Sequence, residues 1–305
     1  MTFHGVRGSC PCSGPAIARY GGATSCVSVQ PATDVPPVVL DLGTGSRRLG
    51  EQLISRYFPG SDLPVGAPPG SRGEERPAGP PVLSLAAFVT HLHFDHVQGL
   101  PFFGPALREG VRLEVHGPRQ HAMGLADAFA AFVKPPYFPV EVGELPAEVR
   151  FSDMGDRDEV SIEGAVVRAR EVPHVGRTLG FRVECDGASV AYIGDHQAPV
   201  EAGHVALEVP EAARSLAEGV DLLVHDAQYD DAEFVAKSHW GHSTIAYAVE
   251  VARQSGAARL VLFHHDPTHD DGWLDRIGEE AACLAPSSLE VLVASEGMSI
   301  QLGRM

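Results

Sequence analysis

The stretch Thr90-His91-Leu92-His93-Phe94-Asp95-His96 constrains this chain more than any other. It sets three histidines and one aspartate into six residues, directly after the apolar run Val82-Leu83-Ser84-Leu85-Ala86-Ala87-Phe88-Val89. An apolar run this short reads as a buried strand. A strand does not continue readily through four close-set polar side chains, so the polar group is expected in the loop at the strand's C-terminal end. Imidazole and carboxylate together suit zinc, manganese or iron. His91 and His93, two apart, are able to aim at one ion, while the adjacent Asp95-His96 pair turns towards a second. A surface loop that merely happens to be His-rich is the bland alternative. It loses ground because later parts of the chain supply the ligands this stretch lacks.

Composition bounds the rest. With 305 residues and 44% hydrophobic content there is ample material for a core, and length alone permits one large domain or two smaller ones. Forty acids against 23 bases give a net charge of −17, and no dense Lys/Arg run appears. Grip on long nucleic acid comes mainly from basic groups on phosphates, so such a partner is disfavoured. Bound divalent cations would offset part of the charge locally. The five cysteines, Cys10, Cys12, Cys26, Cys185 and Cys283, are odd in number and scattered. That is a poor disulfide framework and suits a reducing compartment. A structural zinc on Cys10, Cys12 and Cys26 would need a second paired motif, so free thiols are expected there. The opening residues have no apolar h-region, and no stretch approaches the roughly 18 apolar residues of a membrane span. A cytoplasmic protein without a membrane partner is expected.

Taken in order, strands are expected over about 2–6 and 25–30, with a Gly-rich loop between them. Pro37-Val38-Val39-Leu40-Asp41 is a further strand, ending in Asp41-Leu42-Gly43-Thr44-Gly45-Ser46. Those glycines allow a tight turn into a helix over 46–57. Residues 59–81 are dense in Pro, Gly and charge and read as a surface loop, because the flanking elements belong together. A strand at 111–116 and a helix over 118–133 follow, the helix stopped by Pro135-Pro136. Tyr137 and Phe138 next to it either roof a pocket or pack onto the body. Further strands are expected at about 148–152, 165–172 and 179–185, then at Val190–Asp195, Asp221–Asp226 and Leu260–Phe263. Lys237-Ser238-His239-Trp240-Gly241-His242-Ser243-Thr244 leads into a helix whose apolar face is Ile245, Ala248, Val249 and Ala252. Ser243 is placed to cap it, leaving His242 beside a helix N-terminus, a favourable place for an anion. At His264-His265, strand alternation turns neighbours opposite ways, so only one of the two is expected to ligate.

The spacing His-x-His-x-Asp-His resembles the signature of the metallo-β-lactamase superfamily, and the likeness covers nearly the whole chain. It implies an α/β fold, a four-layer αββα sandwich formed as a single domain over residues 1–305, with metals at one edge between two mixed sheets. The remaining ligands of the pattern have counterparts in the expected order. His174 follows a strand and precedes Gly180-Phe181, Asp195 closes a strand in Gly194-Asp195, and His264 matches the final histidine. The resemblance thus implies His91, His93 and His174 on one ion and Asp95, His96 and His264 on the other, with Asp195 shared. It gives Asp41 a supporting role under the metal loop. Two divalent ions are implied, zinc first, with manganese or iron as alternatives. Ions about 3.5–4 Å apart activate a bridging water as hydroxide and stabilise the attacking and leaving oxygens; Asp95 is expected also to steer that hydroxide.

A strand-end His225-Asp226-Ala227 followed by His242-Ser243-Thr244 is similar to the tRNA 3′-processing endonucleases (tRNase Z) and their phosphodiesterase relatives. By that likeness His242 is the acid for the leaving oxygen and Asp226 orients it, although the family usually has Glu at the latter place. Two departures point away from tRNA: no long Gly- and Lys-rich arm, and the net charge. Val6-Arg7-Gly8-Ser9, Tyr20-Gly21-Gly22 and His264-His265-Asp266-Pro267 resemble a bacterial branch of metallo-hydrolases near this group. The expected activity is therefore hydrolysis of a small or cyclic phosphodiester or a short nucleotide. The rivals are tRNA processing, an acyl hydrolase such as a β-lactamase, lactonase or thioesterase, and a metal-bound module that binds nucleotides without turnover. A homodimer is left open.

Overall fold

A computed structural model gives the architecture for residues 1–60, 82–201 and 203–303, the residues described throughout. The loop expected over 59–81 lies almost wholly outside them.

Short apolar runs build two sheets. The first contains β1 (Thr2–Gly5), β2 (Cys26–Val29), β3 (Val38–Leu40), β4 (Leu83–Phe88), β5 (Val111–Pro118) and β6 (Glu148–Met154), hydrogen-bonded in chain order. Its first two pairings are antiparallel and the next three parallel. The second contains β7 (Glu159–Ile162), β8 (Ala165–Val172), β9 (Thr178–Cys185) and β10 (Ala188–Ile193). After a small β11–β12 pair (Val200–Glu201 and His204–Val205), β13 (Leu222–Asp226), β14 (Arg259–Phe263) and β15 (Glu290–Val293) complete it, in the order β15-β14-β13-β10-β9-β8-β7. The helices are α1 (Ser46–Tyr57), the one-turn α2 (Phe94–Val97), α3 (Leu125–Phe132), α4 (Glu211–Ala217), α5 (Asp231–Lys237), α6 (Ile245–Ser255) and α7 (Asp271–Leu284).

Period-2 alternation sorts the strand residues into layers. Along β4, Ala86 and Phe88 meet the inner face of the second sheet, with Phe181, Tyr192 and Phe263. Leu83, Leu85 and Ala87 face the other way, towards Leu49 and Leu53 of α1 and Phe129 of α3. Along β14, Val261 and Phe263 point into the sandwich, while Leu260 and Leu262 pack with Val249 and Ala252 of α6 and Ile277 of α7. The result is the αββα sandwich that the resemblance implied.

Two local expectations are corrected. The helix expected over 118–133 starts only at Leu125, because β5 runs on to Pro118 and Gln120 and Met123 close a tight turn with N-to-O distances of 3.0 and 2.8 Å. Asp153 of β6 then accepts from the Leu125 amide at 2.8 Å and sets the helix start. At α6 the cap is Thr244, whose hydroxyl accepts from the Tyr247 amide at 3.2 Å; Ser243 donates instead to the His196 carbonyl at 2.6 Å. In the Pro-rich segment Phe138 packs on Phe102, with ring centroids 6.0 Å apart, whereas Tyr137 is exposed. All five cysteines are free thiols, Cys26 buried beneath α1 and Cys10 exposed.

Candidate active site

Strand direction collects the polar residues. β8, β10, β13 and β14 run the same way, since β9 is antiparallel to both β8 and β10 and the others pair in parallel. Their C-terminal ends deliver His174, Asp195, Asp226 and His264 to one edge, where β4 of the facing sheet delivers the 91–96 loop. This is the usual place for a site in a sheet with parallel strands.

His91, His93, His174 and Asp195 each offer a ligand atom within 4.8 Å of the others, and so do Asp95, His96 and His264. Asp195 faces both sets: Oδ1 lies 3.0 Å from His96 Nε2 and 3.1 Å from His264 Nε2, while Oδ2 lies 3.7 Å from the Nε2 atoms of His91 and His174. His96 Nε2 and His264 Nε2 are 3.3 Å apart, as are His174 Nε2 and His93 Nδ1. Tetrahedral donors at about 2.0–2.1 Å from one ion stand about 3.4 Å from each other, so these spacings fit shared ions.

Ring orientation supports the same reading. His96 Nδ1 donates to Asp41 Oδ2 at 2.8 Å, and His264 Nδ1 donates to Gln228 Oε1 at 2.8 Å. Both Nε2 atoms then face each other across 3.3 Å. Although burial pulls both rings down, Asp195 and Asp95 outweigh it and raise both imidazoles above their ordinary value, so the pocket draws positive charge to this point. The buried atoms His91 Nε2 and Asp195 Oδ1 have no hydrogen bond. The residues present therefore suit a divalent metal. Charge says the same. Burial pushes the Asp95 carboxyl up, but His96 and His264 outweigh it and hold it below the carboxylate range. Burial acts likewise on Asp195, where His264, His96 and His91 prevail. Burial holds His91 well below its ordinary value, and His96 adds to the effect.

Positioning groups surround the cluster, as is usual for metal sites. Asp41 holds the loop through His96 and also accepts from the Thr90 amide at 2.7 Å and from Tyr192 Oη at 2.8 Å. The Ser9 amide donates to Asp95 Oδ2 at 2.7 Å, and His174 Nδ1 donates to the Gly241 carbonyl at 2.6 Å. Gly241 has φ of +96°, and a Cβ there would sit 2.5 Å from that ring, so glycine is required on two counts. Asp41 and His264 adopt φ of +61° and +62°, a conformation uncommon outside glycine that clusters at functional sites. At His264 it ends the strand alternation and turns the ring into the site. His265 turns away and donates from Nε2 to the Ala294 carbonyl at 2.9 Å.

A second grouping adjoins the first. His242 Nδ1 donates to Asp226 Oδ2 at 2.8 Å and lies 3.8 Å from Asp195 Oδ2. The shorter aspartate arm therefore reaches its histidine. Asp226 is itself pinned, accepting from the His196 amide at 3.0 Å and the Gln228 amide at 3.1 Å. Residues 196–198 stitch the loops together. The Gln197 amide donates to the Pro173 carbonyl at 2.7 Å, Gln197 Oε1 accepts from the Gly241 amide at 2.8 Å, and the Ala198 amide donates to the His242 carbonyl at 3.2 Å. Behind them, His225 Nδ1 donates to the Asp226 carbonyl at 2.7 Å, and His225 Nε2 meets His196 Nδ1 at 3.0 Å. Sequence reasoning missed Tyr192, His196, Gln197, His225, Gln228 and Ser9 as site-supporting residues. A cleft of about 450 Å³ opens over the site, lined by Ser9, Phe94, Val175, His239 and Trp240 as well as by His93, Asp95, Asp195 and His242. A hollow of about 650 Å³ at the opposite strand ends of the second sheet contains none of the clustered residues.

Two mixed sheets in an αββα sandwich, with a His/Asp cluster at the strand ends, define a hydrolase of the metallo-β-lactamase type. The beta-lactamase superfamily domain matches residues 67–265, and this chain belongs to that family. Ribonuclease Z of Salinibacter ruber is 32% identical over 225 residues, 61% of this chain and 70% of the relative. Ribonuclease Z of an Exiguobacterium species is 27% identical over 72% of this chain and 82% of its own. Among solved structures, the metallo-β-lactamase fold protein YhfI of Bacillus subtilis superposes with a TM-score of 0.65 at 16% identity, covering 97% of this chain and 96% of that one. The short form of human tRNase Z gives a TM-score of 0.63 at 22% identity over 99% of both chains. At such identities the likeness establishes the fold. No helix among the described residues is long and apolar enough to cross a membrane.

Proposed function

We propose that this protein hydrolyses a small phosphodiester with two divalent ions. His91, His93 and His174 hold one ion, Asp95, His96 and His264 hold the other, and Asp195 serves both. Zinc is the expected ion. Divalent ions bound there supply a water nucleophile at neutral pH and balance charge on the phosphate. The remaining work falls to the chain. Asp95, held by the Ser9 amide, orients the attacking water. Asp226 fixes the His242 ring with its proton on Nδ1, so that protonated Nε2 is presented to the leaving oxygen as general acid. That dyad, set beside the ligand cluster, carries the proposal, because a proton donor on the leaving side suits an alkoxide departing from phosphate. The cleft supports a small substrate: its volume is about 450 Å³ and, among the described residues, neither Lys nor Arg lines it.

The direct test compares substrates on one metal-loaded preparation. kcat/KM for bis(p-nitrophenyl) phosphate should exceed that for nitrocefin and for an acyl-homoserine lactone; the reverse order would move the protein to the acyl hydrolases. A second reading, cleavage at an RNA 3′ end, is favoured by the 32% identity to a ribonuclease Z. Cleavage of a precursor tRNA faster than of any small diester would establish it instead.

The supporting role of Asp41 gives a further expectation. Asp41→Asn keeps the shape but removes the charge behind His96, and metal affinity should fall about 10- to 100-fold. Titration with a chromogenic chelator checks this, and unchanged affinity would remove Asp41 from the account.

A further inference from the structure

Part of the cleft wall has no task in the chemistry above. Phe94 is 61% exposed although Asp95 and His96 beside it are buried, and Trp240 and Val175 are 54% and 52% exposed. All three line the cleft together with Asp95, Asp195 and His242. Large apolar side chains exposed together at one site mark a contact surface.

Both rings are held in place. Phe94 leans on Phe132 with centroids 5.5 Å apart, and Phe132 leans on buried Phe129 at 5.5 Å. Trp240 has the Lys237 ammonium 5.8 Å from its centroid. Lys237 is anchored in turn by Asp266 at 3.2 Å and by the Tyr229 ring at 4.4 Å. The backbone is tied on either side, by the Trp240 amide to the Lys237 carbonyl at 2.9 Å and by the Gly241 amide to Gln197 at 2.8 Å. Rings held this way lose little freedom when a flat partner arrives. Beyond the phosphate, a bound diester meets aromatic and aliphatic faces here. Such a wall accepts a planar ring by stacking without reading its edge.

We propose that Phe94 and Trp240 form a stacking subsite for a planar aromatic ester group of the substrate, a nucleobase or another aryl ring. The proposal rests on the phosphodiesterase reading, and the test separates the two. Binding of methyl phosphate, phenyl phosphate and a nucleoside 5′-monophosphate to the metal-loaded protein is measured by calorimetry, with metal content determined for every variant. The wild type should bind both aromatic monoesters at least about tenfold more tightly than methyl phosphate. Stacking contributes about 1–3 kcal/mol per base, so Trp240→Ala and Phe94→Ala should each cut that preference roughly 5- to 100-fold. Trp240→Phe should keep most of it. Tighter binding of the nucleotide than of phenyl phosphate identifies a nucleobase as the occupant, and equal binding identifies a generic aryl group. Methyl phosphate binding as well as phenyl phosphate, or a preference unchanged in both alanine variants at full metal content, overturns the subsite. If the aromatic preference holds but no diester is cleaved, the reaction proposed above fails and the subsite stands.

Discussion

Asp195→Ala should yield a folded protein that has lost metal and, with it, metal-dependent turnover, by a factor on the order of 10⁴ or more. The expectation follows from one carboxylate facing two ligand sets, Oδ1 towards His96 and His264 and Oδ2 towards His91 and His174. Removing it would take a donor from both proposed ions and leave the facing imidazoles without the carboxylate between them. The check is metal content per chain by atomic emission, beside near-ultraviolet circular dichroism to establish that packing survives. Two tightly bound ions in the variant would show that Asp195 is not shared, and the site would have to be redrawn.

His242→Ala should lower kcat about 10²- to 10⁴-fold, the usual contribution of a positioned general acid, while metal content stays at the wild-type level. The effect should be larger for a diester that releases an alkoxide than for one that releases p-nitrophenolate, which departs without a proton. Geometry makes the control necessary, because Asp195, His242 and His264 also offer ligand atoms within 4.8 Å of one another. In the structure His242 Nδ1 donates to Asp226, which frees Nε2 for either role, so metal content decides between them. Loss of an ion together with activity would make His242 a ligand.

The strand-end positions were legible because each joins two signals, an apolar run and an abrupt polar residue. His91 after β4, Asp195 after β10, Asp226 at the end of β13 and His264 after β14 all read this way, and the fold brings them to one edge. The supporting groups had no such signal. Tyr192 sits inside an apolar strand and reads as core, yet its hydroxyl reaches Asp41. Ser9 and Gly241 act through a backbone amide and a carbonyl, which every residue possesses. The helix expected over 118–133 failed at its start because strand pairing with β6 carried β5 forward to Pro118, a tertiary contact that local propensity does not contain. The choice between His264 and His265 could not come from alternation alone, which only separates the two. The positive φ at His264 decides which ring enters the site.

Metal-dependent phosphodiester hydrolysis by this protein is tested most directly on a single preparation. The purified protein is stripped of metal, reloaded with zinc or manganese, and assayed on bis(p-nitrophenyl) phosphate at each stage. Turnover should vanish on stripping and return in proportion to the metal bound, up to two ions per chain. No turnover at full occupancy with either ion would contradict the claim.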